Sequence, residues 1–442
     1  MTVTESNPRT TSVVGTGAAG ALEQALAPFV GGDLPVRLRA WDGSEAGPAD
    51  APRVTIHTPD ALRRLLWSPG ELGAAQAYVL GEVDVEGDLD AALTHVWSVA
   101  AERGLAGVRP TPATVLAALR TAARLGALGR KPSPPDSQSH IKGRLHTRER
   151  DRSAISHHYD LSNEFYATIL DEHMAYSSAY WTSDDPSYSL EDAQAAKLDL
   201  VCRKVGLEPG SRFLDVGCGW GSLSLYAAEH FGAQVTGVTI SAEQKRFIDA
   251  RIAERGLADR VEIRLQDYRD ALTDPRTPQR SLQGSFDAAA SIEMGEHVGQ
   301  ANYPTYAEVL HDAVRPGGRV LVQQMSRQGK HPGGGPFIES FIAPDMHMRP
   351  VGETVDLIEA GGLEVRDVHA LREHYVRTVD HWLERFEARL DDLRRLVPEE
   401  VVRVWRLYLV GGRMAFRDGR MGVDQILAVR PGPHTLPWVR GW

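Results

Sequence analysis

The sequence has few of the features that mark secreted, membrane-spanning or nucleic-acid-binding proteins. Its 442 residues include two cysteines, Cys202 and Cys218, which cannot build a disulfide framework and predict a reducing compartment. No uninterrupted run of 18 apolar residues occurs, so no membrane-spanning helix is predicted. Residues 1–20 are polar and lack the apolar core of a signal peptide. A formal net charge of −10 disfavours general nucleic-acid binding.

The charge is unevenly distributed along the chain. Residues 110–152 carry nine basic and three acidic side chains, a balance of +6 inside an acidic protein. The first part, 111–128, is amphipathic, and the second, 129–140, contains three prolines. Two interpretations remain open: a solvated linker, or a surface that meets anionic lipid head groups, where each Lys or Arg contributes about 1 kcal/mol.

The proline-rich segment predicts a two-domain organisation. Short apolar runs alternate with turns over 53–93, which predicts a small mixed α+β domain at 1–128 that serves lipid binding, membrane binding or dimerisation. Residues 129–150 form the predicted linker, and 151–442 the second domain. The alternating acids at 82–90 lack the spacing of a calcium loop, so no metal site is predicted.

The second domain carries a pattern of alternating strands and helices between residues 212 and 324, which is typical of a doubly wound α/β sheet. Its first strand ends in AspValGlyCysGlyTrpGly at 215–221, where glycines let the backbone approach a ligand. The acid Asp215 on the strand disfavours a pyrophosphate, which prefers exposed amides without a neighbouring carboxylate. With the ArgProGlyGly turn at 315–318, this loop favours a methyltransferase that binds a sulfonium cofactor.

Six motifs, in order, resemble the cyclopropane fatty acid synthase family, which includes the mycolic acid methyltransferases. They are HisTyrAspLeuSerAsn (158–163), TyrSerSerAlaTyrTrp (176–181), LeuAspValGlyCysGlyTrpGly (214–221), GlyValThrIleSerAlaGluGln (237–244), LeuGlnAspTyrArg (265–269) and GluHisValGly (296–299). The resemblance implies a Rossmann-like S-adenosylmethionine-dependent methyltransferase domain with a smaller N-terminal α+β domain. It also implies a cis-unsaturated acyl chain on a phospholipid as the acceptor.

The resemblance assigns the S-adenosylmethionine contacts to three groups of residues. They are Tyr176 and Ser177; Asp215, Gly217, Cys218, Gly219, Trp220 and Gly221 in the loop; and Thr239, Gln244, Gln266 and Asp267. The alternative for Tyr176 is core packing, and for Thr239 the end of a strand.

The sequence departs from the family pattern around the catalytic base. Cyclopropane synthases of this family hold a bicarbonate ion with a Cys, a Glu, a His and a Tyr. The Glu and the Tyr align with Glu296 and Tyr375, whereas Ser178 and Gln323 replace the Cys and the His. Both replacements can hydrogen-bond an anion, but neither can become cationic. The resemblance thus implies a bicarbonate or a water as base, held by Glu296 and Tyr375 with His297 nearby; the alternative for His297 is an ordinary packed histidine.

These departures resemble the branch of the family that makes 10-methylene fatty acids of the tuberculostearic acid type. In that branch a methyl group is added to an oleoyl-type chain on phospholipid, and a separate reductase saturates the product. The alternatives are a cyclopropane-fatty-acyl-phospholipid synthase and a non-catalytic lipid-binding protein. The expected partners are unsaturated phospholipid, the reductase and a second copy of the chain in a homodimer, without nucleic acid. The expected location is cytoplasmic, at the inner face of the membrane.

Two apolar segments are candidates for the acyl-chain route. The insert at 335–350 is predicted to line a tunnel, with a packed lid as the alternative. Its apolar members are Phe337, Ile338, Phe341, Ile342, Met346 and Met348. The segment 376–396 has helical apolar periodicity and predicts one amphipathic helix that faces the core.

Overall fold

The computed structural model divides the chain into two compact units. It describes residues 12–13, 16–105, 111–139, 145–151, 161–279, 281–329, 333–433 and 436–442. One unit comprises Met1–Gln138 and Glu399–Met414, and the other comprises Ser139–Pro398 and Ala415–Trp442. The division after Gln138 falls inside the predicted linker 129–150. Residues 158–160 of the motif at 158–163 and part of the basic segment 110–152 lie outside the described residues.

The first unit is a mixed α+β structure. Its five-stranded sheet has the order β1 (Ser12–Val13), β3 (Glu45–Pro48), β2 (Arg37–Arg39), β4 (Arg53–Ile56) and β5 (Val83–Val85). Its helices are α1 (Gly17–Leu26), α2 (Pro59–Trp67), α3 (Glu71–Val79), α4 (Leu89–Glu102) and α5 (Pro112–Arg124). Neighbouring strands are antiparallel except β2 and β4, which are parallel. The unit has its own core of small and branched apolar side chains, among them Leu22, Leu38 and Ile56.

The second unit is a seven-stranded α/β structure, as the alternating pattern predicted. Its strands are β6 (Arg212–Val216), β7 (Gln234–Thr239), β8 (Val261–Leu265), β9 (Phe286–Ile292), β10 (Val314–Ser326), β11 (Glu364–Ala370) and β12 (Gly422–Val429), in the order β11-β12-β10-β9-β6-β7-β8. Strand β12 is antiparallel to β10 and β11, and the remaining pairs are parallel. The central strands β6 and β9 are buried over most of their length because helices cover both faces of the sheet.

The helices of the second unit alternate with these strands. They are α6 (Asn163–Ile169), α7 (Leu190–Val205), α8 (Ser222–His230), α9 (Ala242–Glu254), α10 (Tyr303–Ala313), α11 (Pro336–Phe341), α12 (Val351–Ala360), α13 (Arg372–Ala388) and α14 (Leu390–Leu396). Helix α7 has well-formed ends, with a capping box of Ser189 and Asp192 and the left-handed Gly206 after its last residue. The single helix predicted over 376–396 is two helices, because Arg389 leaves the helical conformation between them. No described helix could cross a bilayer.

One helix is divided between the two units, contrary to the predicted domain boundaries. Helix α15 (Glu399–Arg417) was expected to belong wholly to the second domain, but residues 399–414 group with the first unit. The physical reason is a set of polar contacts within that unit. Arg403 pairs with Asp84, and Arg413 pairs with Asp90.

Candidate active site

A large cavity opens at the carboxyl ends of β6, β7, β8 and β9, where an open α/β sheet normally binds its ligand. The space, including the open solvent at its mouth, is about 1280 Å³. The predicted site residues that line it are Tyr176, Ser177, Asp215, Gly217, Cys218, Gly219, Trp220, Thr239, Gln244, Gln266, Asp267 and His297. The structure thus brings together twelve side chains or backbone positions that the chain spreads over more than a hundred residues.

The glycine loop connects β6 to α8 and forms one wall of the cavity. Gly217, Gly219 and Gly221 all have positive φ, at 78°, 54° and 82°. A Cβ on Gly217 would lie 2.7 Å from the Met294 side chain, and a Cβ on Gly221 would lie 2.9 Å from Ile248. Gly219 instead faces open space, because a Cβ added there would have no atom within 4 Å. Gly217 and Gly221 therefore allow close packing of neighbouring side chains, and Gly219 leaves space in the cavity.

Three features of the cavity fit S-adenosylmethionine, the cofactor that the resemblance implies. The open space at Gly219 allows a ligand to lie against the backbone. The buried Oε1 of Gln266 has no hydrogen-bond partner, so it can accept one from a ligand amino group. Asp215 supplies an acid at the end of β6, and its Oδ2 accepts a 2.6 Å hydrogen bond from Ser224 Oγ. Burial raises the pKa of Asp215 to about 6.

The opposite side of the cofactor loop is fixed by side-chain hydrogen bonds. Thr239 Oγ1 donates to Gln244 Oε1 at 2.8 Å, which ties the end of β7 to α9. Both carboxylate oxygens of Asp267 accept hydrogen bonds from Arg269, each at 2.7 Å. Burial alone would raise the pKa of Asp267, but the Arg269 guanidinium lowers it overall. Asp267 is therefore held ionised and in one orientation at the cavity wall.

Aromatic rings form a second wall. Tyr176 packs against Trp382, with ring centroids 5.4 Å apart, and against Tyr166 at 5.8 Å. Trp220 lies 4.5 Å from Tyr166, and its indole N–H donates to Asn163 Oδ1 at 2.9 Å. Tyr176 both packs in this cluster and lines the cavity, so its two interpretations are compatible.

The side chains expected around a base converge on Glu293, a residue that the sequence analysis did not single out. The backbone N–H of Ser178 donates to Glu293 Oε1 at 2.8 Å, and Gln323 Nε2 donates to the same oxygen at 2.9 Å. The Tyr375 hydroxyl donates to Oε2 at 2.7 Å. Gln425 Nε2 donates to Gln323 Oε1 at 2.9 Å and so fixes the orientation of the Gln323 amide. Ser178 acts through its backbone, since its hydroxyl donates to the carbonyl of Ala179.

Glu293 has an unusual position and charge environment. It directly follows β9, lines the cavity, and is a non-glycine residue with positive φ, at 49°. Burial raises the pKa of the Glu293 carboxyl, and the donors around it together with the charge of Lys197 oppose that rise. Lys197 is itself buried against the cavity, and its Nζ donates to Ser177 Oγ at 2.8 Å. The available sequence signal was an acid immediately after a strand of the sheet.

Glu296 does not contact Tyr375 or the other donors of Glu293, and the expected base shared by Glu296 and Tyr375 stays a prediction. Glu296 is buried, is not among the cavity-lining residues, and neither carboxylate oxygen has a hydrogen-bond partner of good geometry. Burial raises its pKa to about 8. His297 does line the cavity, and burial lowers its pKa to about 4, so its imidazole is neutral near pH 7. Tyr375 donates to Glu293 instead.

The predicted tunnel insert packs largely as a lid. Phe337, Phe341, Ile342, Met346 and Met348 are buried, but none of them, nor Ile338, lines the cavity. The insert contributes Pro344 and Asp345 to the cavity wall. Among the described residues, no cluster of His, Cys, Asp and Glu could hold a metal ion.

Comparison with known proteins finds a matching family and similar proteins. A profile of the family described as "Mycolic acid cyclopropane synthetase" matches residues 146–426. The chain is 38% identical over 418 residues to a "Probable fatty acid methyltransferase" of Pseudomonas putida, covering 92% of this chain and 95% of the relative. It is 34% identical over 438 residues to "Tuberculostearic acid methyltransferase UfaA1" of Mycobacterium tuberculosis, covering 94% and 92%.

A solved structure resembles part of the chain in fold. The mycolic acid cyclopropane synthase CmaA1, in complex with SAH and CTAB, matches with a TM-score of 0.57 and 29% identity. The match covers 63% of this chain and 98% of that one.

Proposed function

Because the chain belongs to the mycolic acid cyclopropane synthetase family and is an S-adenosylmethionine-dependent lipid methyltransferase, we propose that it converts an oleoyl-type acyl chain on phospholipid into a 10-methylene acyl chain. The relative UfaA1, which is named a tuberculostearic acid methyltransferase, matches over nearly its whole length and supports this product. When bound, the cofactor supplies an electrophilic methyl group and leaves as neutral S-adenosylhomocysteine.

The observation that carries the proposal is the Glu293 carboxylate, held at the cavity by Ser178, Gln323 and Tyr375. The negative charge of Glu293 stabilises the carbocation that remains on the acyl chain after the double bond has attacked the methyl group. After a hydride shift has moved the cation to the methyl-bearing carbon, Glu293 accepts one proton from the new methyl group. The C–H electron pair becomes the exocyclic double bond, so one methyl group is gained and one proton is lost.

The fixed position of Glu293 explains how a carboxylate can act as a base here without trapping the cation as an ester. Both of its oxygens are engaged by donors, so the carboxylate cannot swing toward the cationic carbon. The cation then persists long enough for the hydride shift. The donors that the resemblance would direct at a bicarbonate are occupied by Glu293, and we therefore propose this side chain, rather than a bound bicarbonate or water, as the base.

The test is the structure of the lipid product. The protein is produced in cells that contain oleoyl phospholipid and lack a methylene-saturating reductase, and the fatty acids are extracted. Because a methylene and a cyclopropane product have equal mass, proton NMR and ozonolysis must distinguish them. We expect vinylidene protons and an ozonolysis fragment with a ketone at carbon 10. Cyclopropane protons would contradict the proposed product and favour the cyclopropane synthase alternative.

The non-catalytic alternative has a separate test. A lipid carrier that had lost catalysis would not need an open cofactor cavity. We expect S-adenosylhomocysteine to bind the purified protein in calorimetry, and the absence of binding heat would favour the carrier.

A further inference from the structure

Helix α5 in the first unit turns small side chains toward the unit and larger apolar side chains toward solvent. The side chains that it turns toward the unit are small: Ala122 is buried, and Thr114, Ala118 and Thr121 are half-buried. Its larger apolar side chains face solvent instead, with Val115 39%, Leu116 48% and Leu119 40% exposed. Hydrophobic burial normally directs the larger side chains inward. The outward stripe therefore stays without a partner among the described residues.

A second group of exposed apolar side chains lies at the end of α2 and on the segment that follows α5. The indole N–H of Trp67 donates to the carbonyl of Gly129 at 3.1 Å, and Arg63 Nη2 donates to the carbonyl of Gly126 at 3.1 Å. These bonds hold the segment after α5 against the last turn of α2. Leu128, Leu66 and Trp67 are 52%, 40% and 53% exposed there. We call the six side chains of this surface the apolar face; they are Leu66, Trp67, Val115, Leu116, Leu119 and Leu128.

Unpaired positive charge accompanies the apolar face. Residues 111–135 contain four basic residues and no acidic one. Arg120, Arg124, Arg130 and Lys131 are all exposed, and none forms an ion pair with a carboxylate among the described residues. Arg120 and Arg124 follow Leu116 at helical spacings of four, so they border the apolar stripe. An apolar helix face edged by arginines is the pattern of a helix that lies in a lipid interface.

We propose that the apolar face and its four basic neighbours dock this protein on the surface of a bilayer that contains anionic lipid. The apolar side chains enter the boundary between head groups and acyl chains, and the basic side chains contact lipid phosphates. A soluble anionic protein would satisfy the charges but would leave six apolar side chains without a low-dielectric partner. The choice of a bilayer also rests on the proposed function, because a phospholipid acyl chain is delivered to such an enzyme from a membrane.

The first experiment measures binding of the full-length protein to vesicles by flotation, without cofactor or turnover. The vesicles are phosphatidylcholine alone or with about one-third phosphatidylglycerol. We expect binding to the anionic vesicles, weakened by added salt, and at least about tenfold weaker binding to phosphatidylcholine alone. Absence of binding to anionic vesicles would overturn the proposal.

Two variants and two matched controls assign the binding to this surface. Leu116→Ser/Leu119→Ser removes part of the apolar face, and Arg120→Gln/Arg124→Gln removes two charges. The controls are Val368→Ser/Leu396→Ser and Arg246→Gln/Arg395→Gln, which change exposed side chains of the second unit. We expect each surface variant to bind at least about tenfold more weakly, and each control to bind like the wild type. If variants and controls lost vesicle binding equally, the binding would depend on the net charge or mean hydropathy of the protein and not on this surface.

Two further measurements separate the proposal from its competitors. If Leu116→Ser/Leu119→Ser converts a dimer into a monomer in sedimentation while vesicle binding is unchanged, the apolar face joins two copies of the chain and the proposal is wrong. Methyl transfer to detergent-dispersed phospholipid should be the same in the variants and the wild type, whereas transfer to lipid in vesicles should fall. If the wild type binds vesicles but methylates no lipid, the proposed function fails and the docking surface stands.

Discussion

At the scale of the residue, the site depends on which of two neighbouring acids receives hydrogen bonds. Glu293 and Glu296 lie three positions apart and are both buried. Among the described residues, only Glu293 of the two accepts hydrogen bonds of good geometry and lines the cavity. An unpaired buried carboxyl favours its neutral form, whereas hydrogen bonds from donors favour the ionised form. Burial raises the pKa of both carboxyls, but side-chain donors and Lys197 oppose the rise at Glu293, whereas the charge of Glu293 adds to the rise at Glu296. We therefore expect different effects when each acid is replaced by glutamine.

Replacing Glu293 with Gln should abolish the proposed base. Glutamine keeps the volume of the side chain but cannot accept the proton, so kcat should fall at least about 100-fold. S-adenosylhomocysteine affinity, measured by calorimetry, should change little because the cofactor loop is untouched. Full turnover by Glu293→Gln would remove this residue from the mechanism. The matched control is Glu296→Gln, a buried acid of the same size nearby, which should keep wild-type turnover.

Replacing Glu296 with Gln should change the pH dependence of stability. Because burial raises the pKa of Glu296 to about 8, the folded state binds a proton that the unfolded chain releases near pH 4.3. The free energy of unfolding therefore falls as pH rises through this window, and the loss is complete above the folded pKa. Glutamine removes this cost, so the variant should gain up to a few kcal/mol over the wild type at about pH 8 and little at about pH 4. Denaturant unfolding at both pH values checks this; a constant difference would contradict it.

At the scale of the element, the turn from β6 to α8 decides cofactor access. The same loop is hydrogen-bonded to the neighbouring strand β7, because the N–H groups of Gly217 and Cys218 both donate to the carbonyl of Val238 at 3.0 Å. The loop is thus held in place by backbone bonds and does not rely on its side chains. A methyl group added at Gly219 should change the space of the cavity without breaking this support.

Gly219→Ala should weaken binding of S-adenosylhomocysteine, because its Cβ enters the cavity. The positive φ of Gly219 also makes alanine cost about 1 kcal/mol of stability. Gly210→Ala is the matched control, since Gly210 also has positive φ and open space but does not line the cavity. Both variants should lose similar stability in thermal unfolding, and only Gly219→Ala should lose affinity in calorimetry. Equal affinities would show that the cofactor does not lie against this residue.

At the scale of the whole molecule, the chain builds its first unit from two distant segments. Residues 399–414 belong to that unit although they follow most of the second. Arg403 donates to the carbonyls of Tyr78 and Val83 and to the Asp84 carboxylate, and its guanidinium lies 4.2 Å from the centre of the Tyr78 ring. One side chain thus satisfies several polar groups of the first unit.

Arg403→Met should destabilise the first unit selectively. The change leaves two carbonyls and a carboxylate without this donor, which should cost about 1–3 kcal/mol. Hydrogen exchange should speed up in β5 and at the end of α3, with little change in β6 to β9. Arg417→Met in the same helix, where Arg417 pairs with the adjacent and exposed Asp418, is the control and should cost less than about 1 kcal/mol. Uniform acceleration over both units would contradict a local role.

Two expectations about the whole molecule stay predictions beyond these tests. The homodimer and the separate reductase follow from the resemblance, and no contact of the described residues bears on them. The membrane location depends on the docking experiment above.

The sequence alone determined the α/β sheet, the glycine loop and the family. Strands β6 to β9 are short segments with continuous or alternating apolar residues, and this local pattern is enough to place them. The cavity-lining positions of the motifs could likewise be predicted, because the carboxyl ends of parallel strands share one edge of the sheet. The helix predicted over 376–396 was placed well. Its interruption at Arg389 was not predicted, because no Pro or Gly marks that position.

Tertiary structure alone decided the partner of Tyr375 and the outward direction of the α5 stripe. Ser178, Glu293, Gln323 and Tyr375 are separated by tens to more than a hundred residues, so no local pattern says which acid the donors reach. Helical periodicity shows that α5 has an apolar stripe but not which stripe packs inward, because small side chains also fit a close helix contact. Hydrogen-bond geometry settled the first question, and the close contact of α5 with α1 settled the second.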